Sequence, residues 1–465
     1  MLALGPLSAA PLHDEPARHW YTLSADGVRT GYAYMEQSPT AAGTIEREVV
    51  RLDVRQLGHR SRVERSIAVA RDAAGKSVWL EYETKAGTVH SAWHGAIGAT
   101  SIDIEPLDGH RGESHRVDLP DSTEISIART RKLSALWKKQ NTELSYFEFD
   151  PGSESVVRVI AKVIVDPDRQ QFVHVQVANA ATGAPLEDVW FDSAGSMQRL
   201  DRIGASGRVT WTPCQSECDA DVEHPMDPMD HLVLRSPVWI PIQATHRPLR
   251  YVITRGDGIA PALVPTDEQD VVFDGSRAIV TVCGNCGHGD VEGPREPERY
   301  LQPNAWVRSD DAELRHLALA TVPRNASIEW RMRKLADLVL KRMRGRMDFI
   351  GYADAVTALH TGSGDCTEFA VLFAALARAQ GIPTRIAVGV TYSDHFSGRK
   401  NVFSPHMWVQ AWNGTTWKSY DAALDGFDST HIAFAVIDGK PDEVERAFAQ
   451  LPYLHIDKAG VLRTP

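Results

Sequence analysis

The chain of 465 residues has no long apolar run, no excess of positive charge and little cysteine. No apolar stretch reaches the ~18–20 residues that a membrane-spanning helix needs, and the most apolar one, Phe369 to Ala379, is too short. The net charge is −11, from 50 basic and 61 acidic residues, which gives no electrostatic basis for binding nucleic acid. The sequence therefore predicts neither a membrane span nor a nucleic-acid partner.

Of the five cysteines, four stand in two close pairs. Cys214 and Cys218 form a CxxxC motif, and Cys283 and Cys286 form a CxxC motif followed by glycine. Two close pairs suit two disulfides in an exported protein, and the same four sulfurs suit a structural zinc site. We favour disulfides, because the β-rich N-terminal half is typical of extracytoplasmic domains. Apart from zinc in the alternative case, we expect no cofactor.

The fifth cysteine, Cys366, stands at the predicted start of a helix. A glycine-containing break precedes it, and the stretch from Cys366 to Gln380 consists of good helix formers. Asp365 and Glu368 have the spacing of a capping box, so Asp365 is the predicted N-cap and Cys366 the first helical residue. Free backbone N–H groups and the helix dipole at that position lower a thiol pKa and can stabilise an oxyanion. Cys366 is therefore a candidate nucleophile, with a buried structural cysteine as the alternative.

A predicted β-hairpin places a histidine beside an aspartate. The stretch from His406 to Trp412 alternates apolar and polar residues, and Asn413-Gly414 is typical of a two-residue type I′ turn. The returning strand runs from Trp417 to Tyr420. In that register His406 lies directly opposite Asp421, where a carboxylate can accept a hydrogen bond from the imidazole and orient it.

Together these residues predict a catalytic triad of Cys366, His406 and Asp421. Asp365 and Trp408 are further candidates for the substrate site. The alternatives are a satisfied core or surface histidine, a turn aspartate, and a degenerate, non-catalytic version of the same fold.

From about Tyr300 to the C-terminus the sequence resembles the transglutaminase-like superfamily, cysteine enzymes with a papain-like fold. The motifs that carry the resemblance are Gly364 to Glu368, Ala377 to Arg385, His406 to Trp408 and Trp417 to Asp421. The resemblance implies an α+β catalytic domain in which Cys366 is the nucleophile, His406 the general base and acid, and Asp421 the orienting group.

Members of this family perform several reactions through one thioester intermediate, and the triad does not distinguish them. We expect a thiol hydrolase that acts on amide or isopeptide bonds of a protein or peptide substrate. The alternatives are a protein-crosslinking acyltransferase and a non-catalytic binding or assembly protein. The stretch from Tyr392 to Ser404 is predicted to be a loop that controls substrate access, or else a solvated surface excursion.

The N-terminal half is predicted to form antiparallel sheet with one face in water. Residues Val50 to Val54, Val157 to Val165 and Val173 to Val177 alternate between apolar and polar side chains. Asp26-Gly27 and Asp166 to Asp168 are typical of the turns that join such strands.

The sequence predicts a multidomain chain, with antiparallel β domains followed by the α+β domain. Residues 1–205 form the predicted first β domain, and residues 206–300 a smaller β domain with the four cysteines and a linker. Helical patterns dominate from Asp310 to Leu359, so residues 301–465 form the predicted catalytic domain.

Two further stretches are less specific. His224, Asp227, Asp230 and His231 could bind a metal ion, but a surface loop with incidental carboxylates is the favoured interpretation. Leu2 to Ala10 is mildly apolar yet lacks the basic start and the length of a full signal peptide. We expect a periplasmic or secreted protein, with a cytoplasmic one as the alternative.

Overall fold

The computed structural model describes residues 18–56, 59–86, 89–107, 114–125, 133, 143–164, 172–181, 183, 185–204, 207–215, 218, 222, 225–227, 229–289, 296–343, 353–424 and 426–462. Within these ranges the chain is multidomain and mostly β. Antiparallel strands dominate the N-terminal half, and most of the helical residues lie after residue 310.

Among the described residues of the N-terminal half, fifteen strands form one sheet. They are β1 Arg18–Ala25, β2 Val28–Thr40, β3 Gly43–Gln56, β4 His59–Asp72, β5 Ser77–Ala86, β6 Val89–Ile97, β7 Ser101–Pro106, β8 His115–Asp118, β9 Glu124–Ile125, β10 Glu143–Asp150, β11 Ser155–Ile164, β12 Val173–Asn179, β13 Pro185–Phe191, β14 Met197–Gly204 and β15 Gly207–Cys214. β1 to β8 follow one another across one arm, β10 to β15 follow one another across the other, and β1 pairs with β15 at the centre. β9 is parallel to β10.

The predicted alternation and one predicted turn are confirmed in this sheet. Val159 and Ala161 of β11 and Val175 and Val177 of β12 are buried on one face, as period-two alternation requires. Asp26-Gly27 is the two-residue turn between β1 and β2, and both residues have the positive φ angles of a type I′ turn. The turn predicted at residues 166–168 lies outside the described residues.

The sheet curls, so that its two arms share a core. One buried cluster combines Leu80, Trp93 and Ile104 of β5 to β7 with Phe149 of β10. The predicted domain boundary after residue 205 is wrong, because β15 continues the same sheet. Trp211 of β15 is buried in the core that the neighbouring strands form.

Nine strands and seven helices follow in the described part of the chain. The strands are β16 Leu234–Arg235, β17 Leu249–Arg255, β18 Gln269–Asp274, β19 Arg277–Val282, β20 Thr384–Phe396, β21 Arg399–Trp412, β22 Trp417–Tyr420, β23 Ile432–Ile437 and β24 Leu454–Val461. The helices are α1 Met229–Leu232, α2 Ile242–Thr245, α3 Ala312–Thr321, α4 Ile328–Arg342, α5 Ala355–Thr361, α6 Cys366–Ala379 and α7 Pro441–Phe448, with 3₁₀ turns at Pro297–Leu301 and Leu451–Tyr453.

These strands form two sheets that each combine early and late parts of the chain. One has the order β18-β19-β17-β24, and the other has β16-β21-β20-β23 with β22 also paired to β21. The separate β domain predicted for residues 206–300 is therefore wrong, because β16 pairs with β21 and β17 pairs with β24. Strand pairing between distant segments decides this, and local sequence patterns do not record it.

The helical layer surrounds α6. The predicted helices near Asp310 to Leu359 are confirmed as α3, α4 and α5, whose first turns are capped by the side chains of Asp311, Ser327 and Asp354. α6 contacts all three of these helices and also β20 and β21. Its apolar side chains form the centre of the largest core of this half of the chain.

The access loop predicted from Tyr392 to Ser404 is wrong. These residues belong to the hairpin of β20 and β21, which turns at Ser397-Gly398 with positive φ angles. Phe403 is fully buried and packs edge-on against Tyr392, so apolar contacts hold the hairpin in the sheet despite its polar sequence. Among the described residues, no helix is both long and apolar enough to cross a membrane.

Both close cysteine pairs are disulfides in the structure, and Cys366 is free. Cys214 is bonded to Cys218 at the end of the first sheet, and Cys283 to Cys286 after β19. This arrangement agrees with the favoured prediction and takes up the four sulfurs that a zinc site would need.

In the second candidate metal stretch, two carboxylates have a protein partner. Asp227 and Asp230 both form ion pairs with Arg399 of β21. His224 and the side chain of His231 lie outside the described part of the chain. The interpretation as a surface stretch without metal remains a prediction.

Leu372 and Leu340 provide a matched test of this core. Leu372 on α6 is fully buried, whereas Leu340 on α4 is 56% exposed. We expect Leu372→Ala to lower the free energy of unfolding by roughly 2–5 kcal/mol, because it removes buried contacts and leaves a cavity. Leu340→Ala should change it by less than about 0.5 kcal/mol. Guanidinium titrations of both variants check this, and equal effects would contradict the placement of α6.

Candidate active site

The start of α6 has the predicted capping box. The Asp365 side chain accepts a hydrogen bond from the Thr367 backbone N–H at 2.8 Å, and Glu368 accepts from the Asp365 backbone N–H at 2.9 Å. Cys366 is the first residue of the helix. Its place at a capped helix N-terminus is therefore confirmed.

Gly364 is required by the buried glutamate of this box. Gly364 has a φ of +149°, and a Cβ there would lie 2.6 Å from the Cβ of Glu368. Glu368 also accepts a hydrogen bond from the Ala353 backbone at 3.1 Å. Burial, together with the neighbouring Asp365, raises the pKa of the Glu368 carboxyl well above its ordinary value.

The environment of the Cys366 thiol differs from the expectation. The residue keeps partial solvent exposure although it lies deep in the protein. Burial and the nearby carboxyl groups of Asp365 and Glu368 raise the pKa of the thiol, against a hydrogen bond from the Met407 backbone that acts to lower it. The low thiol pKa predicted from the helix N-terminus is therefore wrong for this resting structure.

His406 and Asp421 are in direct contact. His406 Nε2 lies 2.6 Å from Asp421 Oδ2, and both residues are 5% exposed. The other oxygen of Asp421 accepts the backbone N–H groups of Ala423 and Leu424 at 2.8 and 3.1 Å. When Nε2–H is donated to Asp421, the lone pair of the neutral imidazole is on Nδ1.

The hairpin reaches this contact by another register than predicted. Trp412 pairs with Trp417, so the loop has four residues, and the Asn413 side chain accepts the backbone N–H groups of Thr415 and Thr416, both at 2.9 Å. The predicted two-residue turn is wrong, and so is the predicted pairing of His406 directly opposite Asp421, because the strand register is shifted by two residues. Side chains alternate between the two faces of a sheet, so a shift by two residues leaves His406 and Asp421 on the same face.

Two buried carboxylates fix the strand that leads to Asp421. Asp267 Oδ2 accepts the Trp417 backbone N–H at 2.7 Å, and Glu268 Oε2 accepts that of Ser419 at 2.8 Å. The two carboxylates accept backbone N–H groups at the edge of β22, as the carbonyl groups of a neighbouring strand would. Burial raises the pKa of Glu268. The segment before residue 301 thus supports the position of Asp421.

A second histidine, which the sequence analysis missed, shares Asp421. His431 Nε2 lies 3.1 Å from Asp421 Oδ2, and its Nδ1 lies 3.1 Å from Asp428 Oδ1. The residue is 2% exposed. The three-residue spacing of Asp428 and His431, just before β23, was the available signal, but it says nothing about distant Asp421.

The charges in this cluster stabilise one another. Burial acts to lower the pKa of His431, but hydrogen bonds to Asp421 and Asp428 outweigh it and raise that pKa to about 9. Burial acts to raise the pKa of Asp428, yet His431 lowers it to about 2. Burial also acts to raise the pKa of Asp421. His406 and His431 outweigh burial and hold that pKa well below its usual range. His431 is therefore a cation at neutral pH.

Trp408 packs against both histidine rings. Its ring is nearly parallel to that of His406, at 6.2 Å between centroids, and edge-on to that of His431 at 5.1 Å. Its Nε1 donates to Ser419 Oγ at 3.2 Å, and the residue is 2% exposed. The structure therefore places Trp408 in the interior, whereas Asp365 is only partly buried.

His406, Asp421 and His431 have potential metal-ligand atoms within 4.8 Å of one another. Both Nε2 atoms already bind the same carboxylate oxygen, and the positive charge on His431 repels a second cation. The arrangement favours a hydrogen-bonded cluster over a metal centre.

The model of the transglutaminase-like superfamily matches residues 318–422, which include all three members of the predicted triad. This chain contains a transglutaminase-like core. The protein ML0607 of Mycobacterium leprae is 27% identical over 135 residues, which is 28% of this chain and 46% of that protein. The chain thus spans less than half the length of this relative.

Two solved structures are similar in part. The β-barrel-like protein of the domain of unknown function DUF1849 from Brucella abortus has a TM-score of 0.33 at 14% identity, covering 43% of this chain and 96% of that one. The periplasmic domain of TgpA from Pseudomonas aeruginosa has a TM-score of 0.27 at 19% identity, covering 49% of this chain and 90% of that one. Both scores are too low to support an inference about function.

The raised pKa of His431 predicts how stability varies with pH. A histidine whose folded pKa is raised contributes stability that is complete below about pH 6.5 and is lost as pH rises through about 9. We expect the difference in unfolding free energy between wild type and His431→Gln to shrink by on the order of 3 kcal/mol over this interval. Denaturant unfolding at several pH values measures it. A constant difference would mean that His431 is neutral.

Proposed function

We propose that the transglutaminase-like core is the catalytic part of a cysteine enzyme, with an α+β papain-like fold. Cys366 is the nucleophile, His406 the general base and acid, and Asp421 the group that orients His406. The buried 2.6 Å hydrogen bond between His406 and Asp421 carries this proposal. The Met407 backbone hydrogen bond to the Cys366 sulfur supports it, because it joins the thiol to the strand of His406.

In the proposed reaction the thiol is protonated at rest. Nδ1 of His406 takes the proton as the Cys366 sulfur attacks the carbonyl carbon of an amide. The imidazolium then gives that proton to the leaving amine, the C–N bond breaks, and a thioester remains. His406 next removes a proton from water as the water oxygen attacks the thioester carbonyl carbon. The C–S bond then breaks, the acid is released, and the imidazolium returns its proton to the Cys366 sulfur.

We propose hydrolysis of peptide or isopeptide amides as the main outcome. In the second candidate, an amine replaces water and the protein crosslinks its substrates. We also propose an extracytoplasmic location, which the two disulfides support because such bonds persist in oxidising compartments.

Substrate screening of matched variants tests the proposal. Turnover of peptide amides is measured as the release of new amines or ammonia. We expect it to be lower than in the wild type by roughly 10³-fold or more in Cys366→Ala and in His406→Ala, because each variant lacks one residue of the proposed triad and the triad acts as a unit. His174→Ala is the control, since His174 also pairs with an aspartate, Asp188, but lies in the N-terminal sheet. Addition of a fluorescent primary amine separates transfer from hydrolysis.

Mass spectrometry of the quenched wild type should reveal an acyl adduct on Cys366 that hydroxylamine removes. Turnover that survives Cys366→Ala would contradict the proposal. Turnover that falls equally in the His174 control would show that the loss comes from general misfolding.

A further inference from the structure

We infer that His431 and Asp428 form a charged positioning pair for the triad, which holds Asp421 and restrains the protonation of His406. The inference rests on the proposed function, because it assigns His406 the role of base. His431 is not a catalytic residue in this scheme, since it reaches the reacting atoms only through Asp421.

The geometry gives His431 two acceptors. Nε2 faces Asp421 Oδ2 at 3.1 Å, while Nδ1 faces both Oδ1 and the carbonyl oxygen of Asp428 at 3.1 Å. The Asp428 backbone N–H also points to Nδ1, at the longer distance of 3.3 Å. An imidazole with acceptors at both nitrogens is best satisfied when both carry protons.

The loop that contains the pair is closed by its own contacts. The backbone N–H and hydroxyl of Thr430 donate to Asp428 Oδ1 at 2.9 and 2.6 Å. Ser429 donates its backbone N–H to the Thr245 carbonyl of α2 at 2.9 Å. The Phe427 ring lies 5.0 Å from that of His431. These contacts fix the imidazole where both carboxylates reach it.

The other titratable groups around the pair come from several elements. His406 of β21 lies with its ring centroid 5.6 Å from that of His431. Glu268 lines the same small interior space, and burial raises the pKa of its carboxyl group. Tyr251 of β17 donates to the Ser429 carbonyl at 2.8 Å. Among the residues that the structure describes, Asp421 and Asp428 are therefore the carboxylates in hydrogen-bond contact with His431.

This arrangement has a consequence for the base. Asp421 Oδ2 accepts from both histidines, so its negative charge is shared between them. A fixed cation 5.6 Å away opposes a second positive charge on His406. A positive charge on His406 therefore costs more beside His431 than it would beside a neutral side chain, and in the proposed scheme transfer of the thiol proton to His406 accompanies attack on the substrate.

The pH dependence of Cys366 alkylation by iodoacetamide tests this. His431→Gln keeps an N–H donor at the position of Nε2 but removes the charge, and Asp428→Asn removes the counter-ion of His431. We expect the alkylation midpoint to move down by about one pH unit in His431→Gln, which makes the reaction about tenfold faster below the midpoint, because His406 then accepts the thiol proton more readily. Asp428→Asn should not lower the midpoint, because it removes an anion and leaves His431 bonded to Asp421. His174→Gln, the matched exchange in the N-terminal sheet, should leave the midpoint unchanged.

Three results separate the outcomes. A wild-type midpoint that does not change in His406→Ala would refute the proposed function. A midpoint that depends on His406 but stays the same in His431→Gln, or that falls equally in Asp428→Asn, would overturn the inference alone. ¹⁵N spectra of the wild-type histidine rings should show two protonated nitrogens for His431 at pH 7.5, independently of whether either variant folds, and one unprotonated nitrogen would also overturn it.

Discussion

The site depends on one buried carboxylate that has no direct access to bulk water. Asp421 accepts four hydrogen bonds, from His406, from His431, and from the backbone N–H groups of Ala423 and Leu424. An uncompensated buried charge costs several kcal/mol, so each donor must be delivered by a well-placed element. The donors come from three elements that meet at this carboxylate: β21, the turn after β22 and the loop before β23. The hydrogen bonds to Asp421 therefore constrain how these elements lie relative to one another.

The support of this carboxylate extends to a part of the chain that local patterns assign elsewhere. Glu268 satisfies the edge of β22, and its carbonyl oxygen accepts the Cys283 backbone N–H at 3.0 Å. Cys283 in turn is bonded to Cys286. The segment from residue 249 to 289 is therefore structurally part of the transglutaminase-like half. A fragment that begins near residue 301 would lose β17, β18 and β19 from their sheet, and with them the acceptors that hold β22.

Features decided by near neighbours could be predicted from the sequence. The capping box at Asp365, the extent of α6 and the turn at Asp26-Gly27 depend on residues within four positions of one another. The hairpin register could not be predicted, because the Asn413 side chain stabilises a four-residue loop. The domain boundaries were wrong because strand pairing joins distant segments, and His431 was missed because its contact with Asp421 depends on how the intervening loop folds back.

The helix dipole and burial have opposite effects on the pKa of the Cys366 thiol, and the sequence alone does not decide which effect is larger. A helix N-terminus stabilises an anion by about 0.3–1 kcal/mol at exposed positions and about 2 kcal/mol when partly buried. Removing a charge from water costs several kcal/mol even after relaxation, and Asp365 and Glu368 add carboxyl groups beside Cys366. Burial therefore exceeds the dipole, and the thiol stays protonated at rest. A protonated thiol needs a neutral base beside it, and in the proposed scheme the cation at His431 disfavours a second positive charge on His406 until a substrate carbonyl is in place.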